Sequence, residues 1–259
     1  TPVSNEEEGV LNKLERWIAD TISDLQKKRE KELNRLLRLF EQDTDEALRY
    51  AIPLDSPDLH RGVAKPSDKL GRRNINFNPV GRPSAGPADF WDVGDYYNDL
   101  RKKYLDAATL EMKRKNYKKA AYIYAELLAD FKTAASVLQK GGFYREAAAV
   151  YQSRLNNKAA AAECLKNGGL YLEAISIYKE LLQVEEAGDL YARMQDEVNA
   201  RDCWEQAVSR KLEQNDHLDA ARVVTKKLNE TGRAMEMLAL GWRRSHQGEA
   251  CVRAYMDIS

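Results

Sequence analysis

Histidine and cysteine are scarce, three of each in 259 residues, and that removes much chemistry from consideration. None of His60, His217 and His246 has a Cys, Asp or Glu at a recognised ligand spacing, so no metal centre is expected. Three scattered cysteines make no disulfide framework, and Cys164 and Cys203 fall near apolar positions that suit a small buried side chain. Charge of one sign is lacking too, since 41 basic residues balance 41 acidic ones. No run of about 18 apolar residues is present to span a bilayer, and no signal-peptide core opens the chain. A reducing, cytoplasmic compartment is therefore expected. The glycine pairs lack the Gly-x-Gly-x-x-Gly spacing of a phosphate cradle, and no pair of carboxylates stands out for acid–base work. No catalytic residue or cofactor is assigned, and the chain is not expected to be an enzyme. It opens on Thr1 rather than Met, as a piece of a longer protein would, and a membrane role is expected only through an anchor outside it.

What is present is helical in character: 43% apolar and 32% charged residues with only seven prolines. Residues 1–52 read as an N-terminal amphipathic arm. Ser4 with Glu7, inside the acidic run Glu6 to Glu8, forms a capping-box signature. Leu11, Leu14, Ile18, Ile22 and Leu25 recur at helical spacing, and Leu33, Leu36 and Phe40 resume the stripe after the charged run Lys27 to Glu32. One helix of about 35 residues is expected, then a shorter one from Asp45 to Ala51 that stops before Pro53. Residues 53–87 hold six of the seven prolines and four glycines and read as an irregular, basic Pro/Gly strap. Ile75, Phe77 and Val80 are expected to pin it to a neighbouring surface.

Residues 88–259 carry internal repeats. Tyr117-Lys-Lys-Ala120-Ala121-Tyr-Ile-Tyr124, Tyr144-Arg-Glu-Ala147-Ala148-Ala-Val-Tyr151 and Tyr171-Leu-Glu-Ala174-Ile175-Ser-Ile-Tyr178 superimpose with a period of about 27. Ala107-Ala108, Ala134-Ala135 and Ala161-Ala162 each lie ten residues before the corresponding Tyr. A fourth copy, one residue shorter, runs through Ala187–Tyr191 and Ala200–Trp204, and Ala220-Ala221 begins a degenerate fifth. Each copy reads as two helices joined by a Gly-Gly or Lys-Asn turn, with glycine accepting the left-handed conformation that ends a helix. Alanine pairs let helix axes approach closely, and aromatics such as Trp204 and Trp242 sit where the pattern asks for bulk. No unit can bury both faces alone, so the copies must stack. The expected fold is all-α, a right-handed α-solenoid of five or six helix pairs.

The Ala-Ala-x-x-Leu…Gly-x-Tyr-x-Glu-Ala-Ala-x-x-Tyr grammar resembles tetratricopeptide-like solenoids, and more closely the short-unit helical arrays of clathrin-type coats. That resemblance implies architecture and a generic capacity to hold other proteins. Ala47-Leu-Arg-Tyr-Ala-Ile-Pro53, together with Gly71-Arg-Arg, Pro79, Gly81-Arg-Pro83 and Phe90-Trp91, is similar to bacterial helical-repeat proteins from loci carrying AAA+ ATPases and von Willebrand A proteins.

One charge asymmetry marks the start of the repeats. Arg101, Lys102, Lys103, Lys113, Arg114, Lys115, Lys118 and Lys119 are opposed only by Asp106 and Glu111 within residues 101–119. The plain reading is a solvated helix whose terminal cations complement its dipole. The functional reading is a surface for an acidic protein, and after it for phosphates. Phe90, Trp91, Tyr96 and Tyr97 are expected to cap the first unit. The arm is expected to fold back along the repeats rather than pair with a second copy, although a homo-oligomer stays open. The expected role is a non-catalytic scaffold or adaptor for a protein partner. The alternative is an adaptor for nucleic acid, which is not favoured, or for an anionic membrane surface.

Overall fold

The structure, a computed structural model, describes residues 5–54, 66–80, 91–244 and 248–258, with α1 side chains essentially from residue 15 onward. The Ser4–Glu7 capping box, the side chains of Leu11 and Leu14, most of the strap, Phe90, His60 and His246 lie outside what is described. Among the described residues the regular elements are all helical: α1 (Asn5–Gln42), α2 (Thr44–Tyr50), α3 (Tyr97–Lys113), α4 (Tyr117–Tyr122), α5 (Phe131–Lys140), α6 (Tyr144–Ser153), α7 (Lys158–Asn167), α8 (Tyr171–Glu180), α9 (Val184–Arg193), α10 (Glu197–Glu213), α11 (His217–Val223), α12 (Thr231–Arg244) and α13 (Gly248–Ile258). The chain forms two compact units, Thr1–Val150 and Tyr151–Ser259, dividing inside α6.

From α3 to α12 every connection uses the same device, one residue in the left-handed region. These are Lys115, Ala129, Gly142, Asn156, Gly169, Leu182, Gln195, Asn215 and Asn229, with φ between 47° and 80°. The residue that follows donates its N–H to a carbonyl five or six positions back. Asn116 donates to Glu111 at 2.9 Å, Phe143 to Leu138 at 2.9 Å, Gln183 to Tyr178 at 2.8 Å and Asn157 to Tyr151 at 2.8 Å. The five-back bonds are Schellman closures, which satisfy carbonyls orphaned at a helix end. The same residue then opens the next helix, and Asp130, Asn157, Asp196 and Asp216 also cap it with their side chains. Glycine fills only two of the nine positions. At the others an L-residue tolerates a conformation that costs about 1–2 kcal/mol.

In the first unit, α3 supplies the centre of the core. Tyr104 is fully buried, its hydroxyl both donating to the Ile52 carbonyl and accepting from the Ile52 N–H at 3.0 Å. Its ring lies 5.5 Å from that of Phe40. Burial drives its phenol well above the ordinary pKa and pushes that of Tyr122 up to about 12. Leu33, Leu36 and Phe40 of α1 and Ala47 and Leu48 of α2 close the same core. The arm thus folds back as expected over its second half. Its stripe is not interrupted at the charged run: Arg29 occupies the intervening position, its guanidinium 4.7 Å over the Trp91 ring and its Nε donating to the Ser67 carbonyl at 3.0 Å. The strap is pinned by Ile75 and Phe77 against the core and by the Arg73 N–H bonded to the Arg49 carbonyl at 2.6 Å, whereas Val80, expected to join them, is 64% exposed.

In the second unit α7 to α13 pack in chain order, each against the next or next but one. The repeat alanines, among them Ala161, Ala162, Ala174, Ala187 and Ala200, are almost fully buried, as are Cys164 and Cys203. Gly188 lies so close to Trp204 that a Cβ would stand 2.6 Å from the indole nitrogen. That nitrogen donates to Asp189 at 3.0 Å. Trp242 departs from expectation: it is 61% exposed, on the outer side of α12, while Met237 and Leu238 take the inner positions.

A longer internal correspondence overlies the short period. The helices α10, α11 and α12 repeat α3, α4 and α5 at an offset of 100 residues, with α3 and α10 both 17 residues long. Both α4 and α11 widen into a π turn, Ile123–Leu127 and Val224–Leu228. Buried residues match position by position: Tyr104 with Trp204, Ala107 with Ala207, Ala120 with Ala220, Leu138 with Leu238. Gly141 abuts Tyr117 as Gly241 abuts His217, each with a Cβ position 2.6 Å from the other side chain's Cβ.

Two substitutions test this account. Gln195→Gly should raise stability by about 0.5–1 kcal/mol by relieving the left-handed residue, visible as a higher thermal midpoint; a lower one would refute the turn geometry. Ala147→Leu, at a fully buried position of α6, should cost roughly 1–3 kcal/mol by overpacking, and an unchanged midpoint would mean the wrong face has been assigned.

Candidate interaction surface

The eight basic residues at the start of the repeats separate into two sets. Glu111, fully buried on α3, accepts hydrogen bonds from Arg114 at 3.1 Å and the Asn116 side chain at 2.8 Å, with the Lys119 ammonium at 3.7 Å. A buried carboxylate demands such counter-charges. Lys119 also pairs with Asp45, Lys118 with Glu146 at 2.6 Å, and Lys103 with Glu41 at 3.1 Å. Four of the eight candidates therefore hold α2, α3, α4 and α6 and the end of α1 together.

Arg101, Lys102, Lys113 and Lys115 remain exposed, with no ion pair to any described carboxylate. Arg101 and Lys102 stand near the start of α3, and Lys113 and Lys115 at its end. Twelve residues of helix put the two groups about 18 Å apart. They make two points of positive charge rather than one groove. The aromatic cap is present in part: Trp91 is buried in the core, while Tyr96 packs against it and accepts a hydrogen bond from Asn34 at 2.7 Å.

The charge at position 111 has a mirror in the second unit. Lys211, at the equivalent place on α10, pairs with Asp219, the counterpart of Lys119, and lies 3.5 Å from Glu185. Arg222 bridges Asp219 and Glu185, the latter at 2.9 Å. Nearby, Arg233 forks onto Glu205 with bonds of 2.7 and 2.6 Å and reaches Glu230 at 3.0 Å. These pairs tie α9, α10, α11 and α12 across their polar edges.

Other reactive groups are structural in setting. All three cysteines are buried and unbridged, and burial pushes the Cys203 thiol upward, away from the reactive thiolate. His217 is buried with its Nδ1 unbonded, where Gly241 and Cys251 crowd it. No group of metal-ligating side chains occurs among the described residues, and none of their helices is long and apolar enough to cross a membrane.

Apolar exposure was not anticipated from the repeats. Leu172 of α8 and Val198 of α10 are 65% and 80% exposed at the starts of their helices. On α1, Trp17, Ile18 and Ile22 stand open to solvent. Spacing alone flags α1 residues as apolar; only the tertiary arrangement shows that nothing described covers them.

These features define a class: among the described residues the protein is all-α, with helices that pack within each unit largely against their neighbours in sequence. Compared with known proteins, the chain matches no family model, no curated protein and no solved structure.

The carboxylates of the second unit predict a pH response. Asp219 is held below its usual range by hydrogen bonds from Arg222 and then Lys211, and Glu205 by the fork from Arg233. Depressed carboxylates stabilise the fold above their ordinary range, near pH 4, and that contribution is lost as the pH falls through the folded values. The thermal midpoint should therefore drop on acidification from about pH 5 to pH 3, and drop less in an Arg222→Met, Arg233→Met double variant. Equal pH slopes for the two proteins would refute the assignment.

Proposed function

We propose that this chain is a non-catalytic, cytoplasmic scaffold that binds an acidic segment of another protein. In this reading its hairpins belong to a right-handed α-solenoid of five or six helix pairs, akin to tetratricopeptide-like and clathrin-type arrays. The observation that carries the reading is the residue of charge on α3. After the buried Glu111 and the neighbouring acids have consumed four cations, Arg101, Lys102, Lys113 and Lys115 are left exposed. They make no ion pair with any described residue. Two cationic points about 18 Å apart suit an extended or helical acidic segment lying along α3, steered by long-range attraction.

The test is a comparison of co-purification from the native host between the unaltered chain and an Arg101→Glu, Lys102→Glu, Lys113→Glu variant. The expected result is loss of one acidic protein at an unchanged thermal midpoint. Retention of every partner would overturn the reading. A steep salt-dependent affinity for DNA, RNA or anionic vesicles, abolished by the same changes, would replace the protein partner with phosphates. Altering Arg114, Lys118 or Lys119 instead would confound binding with folding, because each anchors a carboxylate of the first unit.

A further inference from the structure

The stripe on α1 advances in steps of 3, 4 and 4, so it repeats every 11 residues: Leu11, Ile22 and Leu33; Leu14, Leu25 and Leu36; Ile18, Arg29 and Phe40. Eleven residues are close to three whole turns, so the stripe stays on one side of a straight helix. Leu33, Leu36 and Phe40 bury that side in the first unit. Leu25 is still half-buried, near Pro66 and Ser67, and upstream of it the same side is open: Ile18 is 43% and Ile22 51% exposed, with Trp17 beside them at 64%. The backbone remains helical to Asn5.

We propose that this free half of α1 pairs with the same half of a second copy, antiparallel, about a two-fold axis at Ile18. The spacing Leu11–Leu14–Ile18–Ile22–Leu25 is 3, 4, 4, 3 and reads the same in both directions. Reversed on itself it sets Ile18 against Ile18, Leu14 against Ile22, and Leu11 against Leu25. This is the self-complementarity that an isologous interface requires, with the stripe residues as interlocking knobs. Charge selects the antiparallel sense. The register sets Glu8 of each helix opposite Lys28 of the other, whereas a parallel pair would set Glu8 against Glu8. The first unit sets the limit: Trp91 and Ser67 cover α1 at Arg29, so the partner helix lies along it only as far as Lys28.

The test uses the full chain and is independent of the basic residues on α3, so either reading survives failure of the other. Sedimentation equilibrium should show a dimer, and Ile18→Glu with Ile22→Glu should weaken it at least about 100-fold without lowering the helical signal. Single cysteines give the orientation: Ile18→Cys should cross-link to itself quickly and Leu25→Cys should not. A monomer for the unaltered chain would overturn the proposal, including one that sediments with anionic vesicles, which would assign the stripe to a lipid surface. So would a dimer indifferent to the two glutamates, or equal cross-linking at residues 18 and 25.

Discussion

Nine successive chain reversals, each through a single left-handed residue, are the constraint on which the rest of this structure depends. The residue after it closes one helix through its N–H and opens the next, so two helices share their capping residue. Consecutive helices then emerge antiparallel and adjacent. Alanines at the facing positions let them settle together with little side-chain volume between them. Within the second unit α7 to α13 each pack against the next in sequence.

Electrostatics follows from the same arrangement. A buried acid at 111 with a basic partner at 119 is answered by a lysine at 211 with an acid at 219. The two modules keep an ion pair at one place and exchange its signs. The favourable contact belongs to the geometry, not to which member is acidic. Arg101, Lys102 and Lys113 of α3, and Lys115 just after it, are exposed without an ion pair among the described residues.

Much of the architecture was legible in the chain. The 27-residue period located the helices α4 to α10 because burial repeats with it, and the buried alanines and cysteines fall where that pattern puts them. The turns were legible at Gly142, Gly169 and the Lys115-Asn116 pair. Leu182, Gln195 and Ala129 take the same conformation without a residue type that announces it. The 100-residue correspondence was hidden because its identical residues, such as Ala107 and Ala207 or Leu138 and Leu238, are few and common, while Tyr104 and Trp204 share only bulk and burial. Trp242 misled for the opposite reason, an aromatic in phase with the pattern yet on the solvent side of α12. For the candidate surface, charge counting marked eight cations, four of which bind carboxylates of the first unit. Sequence spacing cannot show that Glu111 is buried and draws Arg114 and Lys119 inward.

Sharing a capping residue between consecutive helices also bears on how such a chain can change length. A connection with no spare residue cannot absorb an insertion without breaking either the closing bond behind it or the cap ahead. Changes of length are therefore taken up inside the helices, as in the 17-residue α3 and α10 and the π turns at Ile123–Leu127 and Val224–Leu228, rather than in the connections.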